Sequence, residues 1–339
     1  MPRLRYVCRR LLIAIPTFLG ITVVCFALTR FLPGGPVEMR LMRLKGMSAQ
    51  GEAAGSRANS AQASDAYRKQ LEAQFGFDKP LLRQYFDWLV SNRMGLSLPS
   101  YDYPDRTAWE LIRSRIPVSL WFGVTSFVLT YLICIPLGIA KAVRNRSAFD
   151  AASSVVVFVA YAIPSFALAL MLKSAGIFPS GGISGDFDVP PAFMEFFLDR
   201  AWHMVLPCVC YVAGSFAMLT MLMKNSLLDQ ISADYVRTVI AKGATRRRAI
   251  WCHALRNALI PVATGFGSVL ALMFAGSIII ESIFEIPGMG RLSWDALVGR
   301  DYAVFLALLA LTSVFQLAGN LVSDILYTVI DPRIDFARK

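Results

Sequence analysis

Residues 232–248 read Ser232-Ala233-Asp234-Tyr235-Val236-Arg237-Thr238-Val239-Ile240-Ala241-Lys242-Gly243-Ala244-Thr245-Arg246-Arg247-Arg248. After four intervening residues comes His253-Ala254-Leu255-Arg256-Asn257-Ala258-Leu259-Ile260-Pro261. The stretch joins two charge-free apolar runs, 204–223 and 258–280. Its spacing predicts a short helix with Ser232 or Asp234 as N-cap. Tyr235, Val236, Val239 and Ile240 share one face, and Gly243 ends the helix as a C′ glycine. A second amphipathic helix leads from Thr245 into the next apolar run. An apolar stripe closed by glycine and rimmed by basic residues suits docking into a groove of a cytoplasmic partner. Anchoring of Arg246, Arg247 and Arg248 to anionic lipid, at about 1 kcal/mol per charge, explains the arginines but not the stripe.

Outward from this segment the chain is apolar. Of its 339 residues 56% are hydrophobic and 17% charged, with a net charge of +11 and a mean hydropathy of +0.53. Soluble domains carry about 25% charged residues. Six windows long enough to cross a bilayer hold no charged residue: 11–29, 117–140, 151–172, 204–223, 258–280 and 302–323. A transmembrane helix needs about 20 such residues, and a central aspartate costs about 2.5–3.5 kcal/mol on insertion. A soluble enzyme, a disordered tail and a secreted disulfide scaffold are therefore excluded. The first window is 19 residues long and lacks a small-x-small cleavage site, whereas signal-peptide cores run to about 15; it reads as a retained helix. Pro16, Pro136, Pro164, Pro207 and Pro261 lie in or beside these windows, which a membrane bundle tolerates.

Six spans put both termini on one side. The segments on that side, 1–10, 141–150, 224–258 and 324–339, hold 17 basic and 6 acidic residues. The opposite loops 173–203 and 281–301 hold 4 basic and 8 acidic. The longer 30–116 holds 13 and 9, but long segments translocate largely regardless of charge. The positive-inside rule places both termini in the cytoplasm. Cys8, Cys25, Cys134, Cys208, Cys210 and Cys252 all fall in helices or cytoplasmic segments, so the external loops have no disulfide, and Cys208/Cys210 is not a CxxC motif. The only histidines, His203 and His253, fall on opposite sides with no metal or catalytic set around them.

The external segment 31–116 opens with a small, polar stretch at 45–64 that reads as flexible. Beyond it, Asp78 is a plausible N-cap, Pro80 fits a first turn, and Leu81, Leu82, Tyr85, Phe86 and Leu89 fall on one helical face with Trp88 nearby. Three uses stay open: the membrane interface, packing on the bundle, or contact with another protein, for which Trp88 and Tyr101 are the crosslinking positions.

The pattern D-Y-V-R-T-x-x-A-K-G-x9-H-A-L-R-N-A-L-I-P at 234–261 resembles the EAA loop of permease subunits of bacterial ATP-binding-cassette (ABC) importers, specifically the dipeptide/oligopeptide branch. The likeness spans nearly the whole chain. Arg9-Arg10-Leu11-Leu12 to Phe31-Leu32-Pro33-Gly34-Gly35-Pro36 is similar to that branch's first helix and PGDP-like turn. Phe75-Gly76-Phe77-Asp78-Lys79-Pro80-Leu81, Glu285-Ile286-Pro287-Gly288-Met289-Gly290, Arg300-Asp301-Tyr302 and Asp331-Pro332-Arg333-Ile334-Asp335 resemble its other signatures. Val239-Ile240 departs from the usual Ala-Arg, and Gly35 from the Asp of PGDP. With Phe216-Ala217-Met218-Leu219-Thr220 and Met223-Lys224-Asn225-Ser226, this is closer to the Yej-type branch.

The resemblance implies an all-α polytopic membrane protein of the MetI-like ABC permease fold, with six transmembrane helices and an external lobe between helices one and two. Its parts are an N-terminal helix 1–30, a periplasmic lobe 31–116, a permease core 117–330 that includes the coupling loop 224–258, and a tail 331–339. It implies a permease subunit in the inner membrane that moves peptides across it. The implied partners are a second homologous permease as heterodimer, two ATPase subunits, a periplasmic solute-binding protein and the lipid bilayer, with no nucleic acid. The ATPase-coupling residues are Asp234, Tyr235, Val236, Arg237, Thr238, Ala241, Lys242, Gly243 and Ala244. The chain has no G-x-x-x-x-G-K-[S/T] phosphate loop, so it holds no cofactor, and ATP and magnesium belong to the ATPase partners. Alternatives are an ABC permease for nickel or glycosides, a channel, or a secondary transporter. A secondary transporter needs intramembrane ionisable relays, which the six windows lack.

Overall fold

The computed structural model describes residues 2–31, 77–185, 192–264 and 276–330, with 37–38, 66, 68–70, 72–73 and 274. The turn at 33–36, the stretch 45–64, Phe75-Gly76, most of the expected fifth span, and the tail from 331 lie outside these residues. In chain order the helices are α1 (Pro2–Phe31), α2 (Leu81–Phe86, continued by a π-helical turn Asp87–Ser91), α3 (Ala108–Val143), α4 (Ala148–Ala162), α5 (Ser165–Ser174), α6 (Phe193–Ser232), α7 (Asp234–Ala241), α8 (Arg246–Arg248), α9 (Ile278–Ile283), α10 (Met289–Val298) and α11 (Tyr302–Ile330). After α8 the chain continues through a π-helical segment Ala249–Ala254 and the short helices Leu255–Ala258 and Ile260–Thr264.

Four of these, α1, α3, α6 and α11, are long and apolar enough to cross a membrane, and α4 with α5 makes a fifth if the pair is one span. The run 151–172 is not the straight helix its composition predicts. The chain bends by 92° between α4 and α5. Pro164 is the cause: it pushes Ile163 into extended backbone, with φ −86° and ψ 116°, because a residue before proline disfavours the helical region. Elsewhere proline is absorbed, as at Pro117 and Pro136 inside α3 and Pro207 inside α6.

The chain forms two compact units. One comprises Ala14–Ser114 and Leu292–Val314. In it Phe26, Trp88, Leu306 and Ala310 form a buried cluster, with Tyr85 and Leu89 packed against it. Asp301 caps α11 by accepting from the Val304 amide (3.2 Å). Its carboxylate also accepts from the Ser100 hydroxyl and the Tyr101 amide (3.1 Å). Thr107 and Glu110 form a reciprocal capping box at the start of α3.

The other unit comprises Met1–Ile13, Arg115–Arg291 and Phe315–Lys339. Within it the Glu285-to-Gly290 loop wraps the buried Glu281 carboxylate. Oε1 accepts from the Ser119 hydroxyl (3.2 Å) and the Ser277 amide (3.2 Å), and Oε2 from the Arg291 amide (2.9 Å). Ser119 accepts in turn from the Met289 amide at 2.7 Å. A Cβ on Gly288 would stand 2.5 Å from Glu281 Oε2, so glycine is required for the loop to close on the carboxylate. Removing the acceptor orphans buried donors at about 1–3 kcal/mol each. Glu281→Ala therefore lowers the unfolding midpoint of the purified protein, measured by thermal scanning fluorimetry in detergent, whereas Glu281→Gln, which keeps one acceptor oxygen, loses less.

Candidate functional site

The candidate segment begins where α6 leaves the apolar run. At 40 residues α6 is about 60 Å long, twice the roughly 30 Å hydrocarbon core of a bilayer. Its last turns therefore project beyond a membrane and carry the loop with them. The base of this projection is held by a buried cation–anion cluster. Lys224 Nζ donates to both Asp150 oxygens (2.7 and 2.8 Å). Lys141 Nζ, fully buried, donates to the Asp150 carbonyl (3.0 Å) and to the Ser153 and Ser154 hydroxyls (2.9 and 2.7 Å). The Arg146 amide completes the Asp150 shell at 3.1 Å. The loop between α3 and α4 is thereby pinned to α6.

Helix α7 follows after a single residue, Ala233. Neither Ser232 nor Asp234 caps it. Ala233 is the N-cap residue, the Ser232 hydroxyl donates back to the Leu228 carbonyl of α6, and Asp234 is the first helical residue. Ser232 still belongs to α6 and the cap position falls on an alanine with no acceptor, so Asp234 acts through its charge at the N-terminus. The other end matches the expected glycine cap. Gly243 has φ +93°, its amide donates to the Ile240 carbonyl (2.9 Å), and the Ala244 amide donates to Val239 (3.2 Å). That pair of bonds is a Schellman motif.

The apolar stripe is divided. Val236 is 1% exposed and joins Met223, Leu227, Ala249, Ile250, Ala254, Ala258 and Val262, with Val239 packed alongside. Tyr235 and Ile240 stay outside, Ile240 at 41% exposed. The expected single docking stripe is thus two half-faces: Val236 and Val239 hold α7 to its own chain, and only Tyr235 and Ile240 remain apolar and available. Tyr235 is fixed by hydrogen bonds, donating to Gln230 Oε1 (2.8 Å) and accepting from Asn257 Nδ2 (3.1 Å). Ser226 donates to the Ala258 carbonyl at 2.8 Å, closing the segment below. Asp234, Arg237, Thr238, Ala241, Lys242 and Gly243 are exposed, and Ala244 is half-buried. Arg237 and Asp234 form a solvent-facing pair at 3.6 Å. Thr245 caps the basic α8, accepting from the Arg248 amide.

The cluster Lys141, Asp150, Lys224 escaped sequence reasoning because each residue lies at the end of a charge-free window, where a charge needs no partner. Glu281 escaped for the same reason, although the glycines of Pro287-Gly288-Met289-Gly290 were a signal of close approach. Among the described residues no group of His, Cys, Asp and Glu could hold a metal ion.

Taken together, a projecting helix, a clamped cap and an exposed polar–apolar edge make up the candidate site of a membrane component. The chain belongs to the family of binding-protein-dependent transport system inner membrane components, whose profile matches residues 134–336. It is similar along its length to curated permeases. It is 36% identical to the peptidoglycan transport system permease protein YejB of Agrobacterium fabrum, over 98% of this chain and 99% of that protein. It is 37% identical to the inner membrane ABC transporter permease protein YejB of Escherichia coli O157:H7, over 98% of each. It is 33% identical to the oligopeptide transport system permease protein AppB of Bacillus subtilis, over 98% and 99%. The protein is a MetI-like permease subunit of the inner membrane.

The divided stripe separates folding from docking. Val236→Ala opens a cavity in the cluster and costs about 2 kcal/mol of stability. Ile240 lies outside the buried cluster, so Ile240→Asp changes the unfolding midpoint less than Val236→Ala does and leaves membrane level unchanged while abolishing transport. Immunoblots of membranes beside uptake assays read this difference; normal uptake by Ile240→Asp contradicts it. At Gly243 an added Cβ meets nothing within 4 Å, so a side chain there strains only the backbone, by about 1–2 kcal/mol. Gly243→Leu loses uptake without loss of insertion, and Gly243→Asn, which tolerates positive φ, retains more.

Proposed function

We propose that this chain is the permease subunit of an ABC importer for peptides or peptide-like compounds. It has six spans and both termini in the cytoplasm, and it pairs with a second homologous permease. Two ATPase subunits that bind ATP and magnesium drive the pair, and an external solute-binding protein feeds it. The reading rests on one combination: near-full-length likeness to peptide and peptidoglycan permeases, together with α7 presented on a projecting α6. Asp234, Tyr235, Arg237, Thr238, Ala241, Lys242, Gly243 and Ala244, together with the exposed Ile240, form the ATPase-facing edge of α7 and its cap, with Val236 beneath as their support. Closure of the ATPases moves α7 and, through Val236 and the Tyr235 hydrogen bonds, α6 as one lever, a hinge-type switch.

The assembled importer in proteoliposomes takes up labelled peptide only with ATP inside and binding protein outside. Unlabelled peptides of graded length compete according to size. Uptake without ATP, or competition by nickel or glycosides and by no peptide, overturns the reading.

A further inference from the structure

Helix α2 has inverted amphipathicity. Its polar Gln84 is turned inward, where Nε2 donates to the Lys79 carbonyl (2.6 Å) and the Phe77 carbonyl (3.3 Å). Trp88, 4% exposed, is also inward. Leu82, Phe86 and Val90, at i, i+4 and i+8, face out at 82%, 66% and 63% exposed. The face expected from sequence, Leu81 to Leu89, is therefore split, and Trp88 is a poor crosslinking position. Tyr101 is half-buried.

The depth of α2 follows from what it rests on. The Tyr85 hydroxyl is 2.9 Å from the Thr22 hydroxyl of α1. Phe26 of α1 meets the Tyr85 and Trp88 rings at 5.5 and 5.9 Å. Thr22 is seven residues inside the end of the charge-free run 11–29, which is about 10 Å along the helix axis. Amphipathic helices of membrane interfaces bury their apolar face about 5–10 Å into the headgroup–acyl boundary. A soluble binding protein docks from water and does not reach below that boundary. The outward apolar residues are Leu82, Phe86 and Val90, without the Tyr or Trp that dominate protein interfaces. The tyrosine and tryptophan of α2 are spent on α1 instead. The one acidic residue of the helix, Asp87, is neutralised by Lys79 at 2.7 Å, and Arg83 is exposed with a side chain long enough to reach lipid phosphates.

We propose that residues 81–91 lie in the interfacial layer of the bilayer, with Leu82, Phe86 and Val90 turned into the acyl chains, so that a lipid surface is their partner. The assignment of this layer to the outer leaflet rests on the orientation proposed above; the lipid contact does not. The lobe is then tethered at two depths, by α1 across the membrane and by α2 along it.

The test is spin-label accessibility in the assembled importer in nanodiscs, with the native cysteines replaced. Leu82→Cys, Phe86→Cys and Val90→Cys are labelled singly, and all three sites are surface positions that tolerate the label. The expected result is collision with oxygen exceeding collision with a water-soluble nickel chelate at all three, unchanged by saturating binding protein. Nickel collision exceeding oxygen places the face in water and overturns the proposal. Low collision with both reagents places it under protein and also overturns it. Either failure leaves ATP-driven uptake, and so the transport reading, untouched.

Discussion

The burial of Val236 is the constraint on which the outer part of this structure depends. An eight-residue helix is too short to be stable in water by itself. Here α7 persists because Val236 and Val239 are packed into the apolar cluster formed by the end of α6 and residues 249–262. The Schellman cap at Gly243 fixes where α7 stops. One buried valine thus orients every exposed residue of α7 and holds the helix against α6.

Two polar nodes fix the rest of that unit. Asp150 gathers Lys141 and Lys224, tying the loop after α3 to α6. Glu281 gathers Ser119, Ser277 and Arg291, tying the Pro-Gly-Met-Gly loop to α3. Breaking one partner of the Asp150 charge cluster is far more destabilising than omitting the cluster, and losing a donor to Glu281 leaves a buried carboxylate short of a hydrogen bond, so each node resists partial movement. Side-chain packing supplies stability between the nodes, and the nodes limit how the ends of the helices shift. In the proposed transport cycle, α3, α4 and α6 are then coupled at the face where α7 sits.

The sequence made the helical membrane architecture legible because charge-free windows report hydrophobic length directly. The helix–glycine–helix segment was legible for the same kind of reason: Asp234-Tyr235-Val236 through Gly243 carries its own periodicity and stop. What was not legible is direction. Periodicity placed Val236 with Tyr235 and Ile240, but it does not say that α7 packs back on α6 so as to bury one and leave the other two. In α2 the same ambiguity hid the inward Gln84 and outward Phe86. The bend at Ile163–Pro164 was visible as a proline but not as a 92° break, since Pro117, Pro136 and Pro207 are accommodated within continuous helices. Long-range pairs such as Lys141–Asp150 leave no local periodic trace.

The central claim, that the exposed edge of α7 seats in an ATPase subunit, is tested most directly by site-specific crosslinking in the assembled importer. A cysteine at Ile240 is paired with cysteines along the groove of the ATPase, with the native cysteines replaced. The account predicts a disulfide between the two subunits that forms in membranes and changes in yield when ATP is added. Free reaction of the Ile240 cysteine with a bulky maleimide in the intact complex, with no intersubunit disulfide at any groove position, contradicts it.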